Sequence, residues 1–310
     1  MSLVKGKRIS IILPEKFRQD ISALYKAYTP AGVDVISCLY NSIPPDSQEI
    51  QKITENADAA LLIYESKRSP SNVYSSPFVY RISGEMIPLG ILPVKTREHI
   101  ECFANTVKTV HDRSSSQSAL VLLSQRHPRY RNVANRMEVV LSRIRKTEAF
   151  RWTGERVYKK DMLAGLKAGP GCVIYLGHGR PSGWAGYCGT RMHDFTPEAS
   201  SPMGCVFSLC CDTASRRRVS LSFSEALVQK GLSASSFGAV RKSLHLDNTR
   251  WAIRMCREID TVRSSGELLV RCAPVSKKSA QPYRLIGDPL APLHSTEESI
   301  NACSLVPVYP

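Results

Sequence analysis

The chain has 310 residues, a formal net charge of +15 and ten cysteines. With 43% hydrophobic and 22% charged residues it is a globular composition, sufficient for one large domain or two ordinary ones, and a disordered chain is excluded. No apolar run approaches the ~20 residues of a membrane-spanning helix, and the cysteines form no CxxC pair, so neither a membrane span nor a structural zinc site is expected.

Residues 8–13 (RISIIL) read as a first strand. The preceding residues are basic, but Pro14, Glu15 and Lys16 cut the apolar run to about five residues, short of the ~7–15 of a signal-peptide core. The expectation is a cytoplasmic protein with reduced thiols. Phe17, Ile21, Leu24 and Tyr25 then recur at helical spacing, and residues 33–40 (VDVISCLY) read as a second strand. A helix after the prolines at 44–45, strands at 58–66 and 86–94, and an amphipathic helix over 95–112 follow. A Ser-rich link at 112–118 marks a boundary between residues 1–112 and 113–310.

The alternation then restarts. A strand at 119–124, a basic helix over 130–146 and a helix ending at Gly169–Pro170 lead to the strand 172–177 (CVIYLG). A glycine-rich loop and a strand at 205–210 (CVFSLC) come next. The following helix carries Ser222 as cap and Glu225 three residues on. Residues 232–240 read as a small-residue strand, 247–259 as a helix capped by Asp247, and 277–282 as loop. Strands alternating with helices predict an α/β fold with mainly parallel sheets.

Functional groups in such sheets collect at the carboxyl ends of strands. His178, between Gly177 and Gly179, stands two residues past one strand, and the Cys210-Cys211-Asp212 run stands past another. If the strands are neighbours, their tips lie about 5 Å apart. A thiol and an imidazole in that relation are the minimum for nucleophilic catalysis. Side chains alternate along a strand, so one of Cys210 and Cys211 faces the core and the other the edge. His127, His193 and His245 are expected to be plain surface or core residues. The positive charge favours acidic partners; no nucleic-acid motif accompanies it, so nucleic acid is a secondary expectation resting on charge alone.

The segments VIYLGHGRPSGW and VFSLCCDTAS, 33 residues apart from His178 to Cys211, resemble the clan CD cysteine peptidases, and among them the gingipain-like family; caspases, separases and the CHAT group share the pattern. Residues 282–293 (PYRLIGDPLAPL) and 222–240 resemble later segments of the same catalytic domains. The resemblance implies a three-layer caspase-like catalytic domain after a smaller α/β subdomain. It implies Cys211 as nucleophile, His178 as general acid/base, and the N–H groups of Gly179 and Cys211 as oxyanion hole. It implies no cofactor and no metal. A residue orienting His178 is not evident; Asp194 is the nearest candidate in sequence. Pocket residues are expected among Arg126, Trp184, Ser243, Asp247 and Trp251, the two tryptophans being equally well read as packing. Arg126, Arg129 and Arg131 argue against an Arg- or Lys-selecting pocket, whereas Asp247 argues the other way. The function implied is a cysteine endopeptidase with a dedicated protein substrate and a regulatory protein or activator, in an intracellular pathway such as defence or cell death. The alternative is an inert protease-like module whose basic surface binds nucleic acid or an acidic protein.

Overall fold

Aliphatic runs punctuated by Pro, Gly and Ser make the strands of this protein, and amphipathic stretches make the crossovers between them. The computed structural model describes residues 4–70, 73–113, 119–143, 149–154, 156–195, 201–273 and 277–293. Its strands are β1 (Arg8–Pro14), β2 (Asp34–Tyr40), β3 (Ala59–Glu65), β4 (Phe78–Tyr80), β5 (Met86–Val94), β6 (Leu120–Ser124), β7 (Ala149–Thr153), β8 (Cys172–Leu176), β9 (Gly179–Arg180), β10 (Gly183–Trp184), β11 (Thr190–Arg191), β12 (Met203–Leu209), β13 (Ser233–Ala239) and β14 (Tyr283–Gly287). Its helices are α1 (Ile21–Tyr28), α2 (Ser47–Ile53), α3 (Arg97–His111), α4 (Pro128–Leu141), α5 (Lys159–Lys167), α6 (Phe223–Gln229), α7 (His245–Glu258), α8 (Ser265–Cys272) and the short α9 (Lys277–Ala280).

One sheet runs in the order β2-β1-β3-β5-β14-β13-β12-β8-β6-β7, with β4 added beside β5. Its pairings are parallel except β13 with β14 and β4 with β5. The α/β class is as expected, but the two halves share one sheet. The last strand, β14, lies between them: Ile286 pairs with Ile91 of β5 and with Ser236 of β13. The sheet thus passes through the boundary drawn at 112/113; the Ser-rich link itself, at 114–118, lies outside the described residues.

The alternation along β8 shows the three layers. Cys172, Ile174 and Leu176 pack with α4, α7 and α8 on one face. Val173 and Tyr175 pack with α5 and α6 on the other. A buried polar tie adds to the apolar junction. His111 Nε2 lies 2.8 Å from Asp288 Oδ2, and the Tyr28 hydroxyl donates to Asp288 Oδ1 at 2.9 Å. Asp288 belongs to the IGDP segment, and this role as a fully buried acceptor joins α1 and α3 to the end of β14.

Several local expectations are corrected. The loop read at 277–282 begins with the turn of helix α9. Helix α7 starts at His245 with Leu244 in the cap position, so Asp247 lies in its first turn and pairs with Arg250 at 3.6 Å. The glycine-rich loop after His178 holds a small antiparallel sheet, β9–β10–β11. Among the described residues no helix is long and apolar enough to cross a membrane.

Candidate active site

β8 and β12 are parallel neighbours, with Cys205 opposite Cys172 and Leu209 opposite Leu176. Extending that register by two residues brings Cys211 level with His178, at the roughly 5 Å spacing of adjacent strands. The chain at Gly179 confirms how closely the two tips meet. A Cβ there would stand 2.3 Å from the Cys211 carbonyl oxygen and 2.5 Å from Cys210 Sγ. Only glycine lets the His178 loop lie against the Cys210–Cys211 backbone.

His178 is held by its main chain and left exposed at its ring. Its N–H donates to Gln125 Oε1 at 2.8 Å. Its carbonyl accepts from the Tyr175 hydroxyl and the Ala185 N–H, both at 2.9 Å. The ring stands edge-on to Tyr130, whose hydroxyl is 3.4 Å from Nε2. Tyr130 also makes edge contacts with His127 and His245. Asp194 is engaged elsewhere: it pairs with Lys159 at 2.7 Å and accepts from the Arg191 N–H at 2.6 Å. Tyr130 replaces it as the side chain in contact with the imidazole.

The two thiols separate as strand alternation requires. Cys210 is fully buried, and burial, followed by the neighbouring Cys211, pushes its thiol well above the ordinary range. Cys211 is partly exposed. Its Sγ accepts the Ser243 N–H at 3.4 Å, with the Ser243 hydroxyl at 3.8 Å. A backbone N–H aimed at sulfur stabilises negative charge there. Ser243 is itself fixed by the buried Asn248, whose amide donates to Ser243 Oγ at 3.2 Å and to the Leu209 carbonyl at 3.1 Å. The Tyr283 hydroxyl donates to Asn248 Oδ1. Asn248 thereby ties α7, β14 and the end of β12 to the segment beside the thiol.

Asp212 turns the chain with a left-handed φ of 63°, a conformation aspartate tolerates better than most residues. The loop beyond it is closed by Arg216, which grips the fully buried Glu225 through Nη2–Oε1 at 2.6 Å and Nε–Oε2 at 2.8 Å. Glu225 also accepts from the Tyr64 hydroxyl and from the Ser222 N–H and hydroxyl, so its charge is fully partnered. Ser222 and Glu225 form the expected capping box.

Of the expected pocket residues, Ser243 stands at the thiol, Arg126 is exposed at the end of β6, and Asp247 is partly exposed on α7. Trp251 is fully buried against Phe237 and Tyr283, and Trp184 is 2% exposed, stacked on Tyr175. Both serve packing, and the little of Trp184 that is exposed lies on a small cavity beside β10. Tyr130, Gln125 and Asn248 were not read from the sequence. The inward spacing Tyr130–Val133–Ala134–Met137 places Tyr130 on the buried face of α4, but nothing local says which group it meets. Among the described residues no group of three or more His, Cys, Asp or Glu is placed to hold a metal ion. The arrangement joins a partly exposed thiol, an imidazole at the same sheet edge and fixed N–H donors, the components of acyl transfer by a cysteine nucleophile.

The profile of peptidase family C25 matches residues 85–294. Among solved structures, the chain is similar to the Arg-specific cysteine proteinase gingipain R, with a TM-score of 0.72, 13% identity, and coverage of 93% of this chain and 78% of that one. It is similar to the complex of Porphyromonas gingivalis RgpB pro- and mature domains at a TM-score of 0.71 and 16% identity, covering 92% and 79%. The Saccharomyces cerevisiae separase–securin complex matches at a TM-score of 0.53 and 10% identity, covering 74% of this chain and 15% of that one. At these identities the structures speak to the fold alone. A search of curated proteins returns no match.

Proposed function

The chain belongs to peptidase family C25 and is a cysteine peptidase of the clan CD type; from that premise we propose that it is an endopeptidase working through a dyad of Cys211 and His178. The observation that carries this reading is the meeting of the two strand tips, fixed by the β8–β12 register and by the close approach at Gly179. Cys211 Sγ, its proton passed to His178, attacks the scissile carbonyl carbon, and the carbonyl oxygen takes up negative charge. The N–H groups of Gly179 and Cys211 receive that charge. Among the described residues the Cys211 N–H has no other backbone acceptor. His178 gives a proton to the departing amine as the C–N bond breaks, leaving a thioester on Cys211. It then takes a proton from water, which attacks the thioester and releases the acid product.

Arg126, Arg129 and Arg131 lie exposed in and after the loop that follows β6, at the same sheet edge. They support a substrate with an acidic or neutral side chain before the scissile bond. None of the nine described cysteines is disulfide-bonded, the state thiols keep in reducing compartments, which supports an intracellular setting. The gingipain R prodomain and securin appear as bound partners in the similar structures, which supports control by a regulatory protein. A regulated pathway such as defence or cell death is part of the proposal. Such restraint fits one dedicated protein substrate.

The test is a diverse peptide library presented to the wild type beside Cys211→Ala and His178→Ala. The proposal expects cleavage at a restricted set of sites by the wild type and none by either variant. Cleavage that survives Cys211→Ala would overturn the assignment, and indiscriminate digestion of casein would overturn the dedicated substrate.

A further inference from the structure

Beyond Gly179 the chain stays beside the catalytic edge and folds back on itself. Arg180 pairs with Gly183 of β10, and Gly183 pairs in turn with Arg191 of β11. The Ala185 N–H donates to the carbonyl of His178 itself. This small sheet bounds a cavity of about 250 Å³ whose lining includes Arg180, Ser182, Trp184, Cys188 and Arg191. The lining residues include two arginines, a serine, a cysteine and a tryptophan, and no Asp or Glu.

The cavity wall is a built feature. Tyr187, Cys188 and Gly189 are successive left-handed residues, with φ of 55°, 58° and 81°. That conformation is costly for the first two, so it persists only where the surroundings impose it. Here they do. The Tyr187 hydroxyl accepts the Ser124 N–H at 3.1 Å and donates to the Trp152 carbonyl at 2.5 Å. Lys159 donates to the Gly189 carbonyl at 3.1 Å. The carboxylate closest along the chain, Asp194, meets the Arg191 N–H and is neutralised by Lys159 at 2.7 Å. Among the described residues neither Arg180 nor Arg191, both of which line the cavity, is ion-paired with a carboxylate.

We infer that this cavity is a subsite for an anionic side chain of the substrate, on the leaving-group side of the scissile bond. The inference rests on the reading of His178 as the group that protonates the leaving amine, because the cavity is built on the residues that follow His178. A guanidinium pair recognises carboxylate and phosphate alike, so the chemistry is that of Asp, Glu or a phosphorylated residue.

The experiment uses peptides identical up to the scissile bond that carry Asp, phosphoserine or Asn at each of the first three positions after it. Wild type is expected to cleave the best-placed anionic peptide with roughly tenfold higher kcat/KM than its Asn counterpart. Arg180→Gln with Arg191→Gln should erase most of that ratio, chiefly through KM. Arg180→Glu should turn the preference toward Lys, a gain that misfolding cannot produce. A gain for phosphoserine alone assigns the site to phosphate, and a gain for both assigns it to anionic side chains in general. Equal cleavage of anionic and Asn peptides, or an anion preference that survives the double substitution, overturns the inference. Binding of the same peptides to Cys211→Ala, read by fluorescence anisotropy, separates the two readings. Anion-selective binding lost with the arginines, in a protein whose wild type cleaves nothing, would leave the cavity standing as an anion site and remove the catalytic reading.

Discussion

Replacing Asn248 with Ala removes a buried amide that makes three hydrogen bonds at once, to the Leu209 carbonyl, to Ser243 Oγ and from the Tyr283 hydroxyl. Tyr283 is fully buried, so its hydroxyl is left in a dry core without that acceptor. An orphaned buried polar group costs about 1–3 kcal/mol, and the lost packing brings the total to about 2–4 kcal/mol. For a chain of 310 residues that is a fall of roughly 3–6 °C in melting temperature. The second effect is on the thiol. Ser243 donates its N–H to Cys211 Sγ at 3.4 Å, and Asn248 is what fixes Ser243. Losing about 1–2 kcal/mol of that contact disfavours the thiolate, and the less stabilised thiolate is the better nucleophile by about half as much, so alkylation slows roughly 2- to 5-fold. The assay is the rate of iodoacetamide alkylation at Cys211, followed by peptide mass spectrometry well below the melting temperature. Tyr283→Phe keeps both amide donations and should fall between wild type and Asn248→Ala. A lowered melting temperature with alkylation at the wild-type rate would show that Asn248 packs the core without positioning the thiol.

Gly179→Ala places a methyl group 2.3 Å from a backbone oxygen and 2.5 Å from a buried sulfur. It should cost about 1–3 kcal/mol in denaturant unfolding and at least about 100-fold in kcat/KM; a fully active variant would refute the close approach of the two tips. Cys210→Ala should keep turnover within about threefold, with a stability loss of about 1 kcal/mol, because a buried thiol held protonated is no nucleophile. Burial, and then Arg129, hold His245 below its ordinary value of 6.5. The unfolded chain therefore protonates first, and stability falls as pH drops below 6.5 and through the lower folded value. Urea unfolding of His245→Gln at about pH 7.5 and pH 5 should show a smaller acid loss than wild type.

The two reactive strand tips were legible because each follows an apolar run that ends abruptly in Gly-His-Gly or Cys-Cys-Asp. The cap at Ser222 was legible because its partner, Glu225, lies within the same turn. What could not be read depends on distant pairing. The residues of β14 say nothing about insertion between β5 and β13, which alone makes one sheet of two α/β halves. Tyr130 and Asn248 belong to helices whose inward faces are predictable but whose partners are set by how those helices lie on the sheet. Trp184 and Trp251 illustrate a limit of composition: an aromatic residue near a motif reads equally as pocket or core, and burial decided for core. Asp247 misled as a cap because α7 begins two residues earlier, without a side-chain cap.

The central claim is that Cys211, served by His178, is the nucleophile. It is tested most directly by treating the protein with a peptide-based acyloxymethyl ketone and mapping the modified residue by mass spectrometry. The account predicts a single adduct on Cys211 at near-stoichiometric yield, absent in Cys211→Ala and strongly slowed in His178→Ala while reaction with a small alkylating agent persists. An adduct on Cys210 or Cys188, or labelling of Cys211 at the same rate without His178, would contradict it.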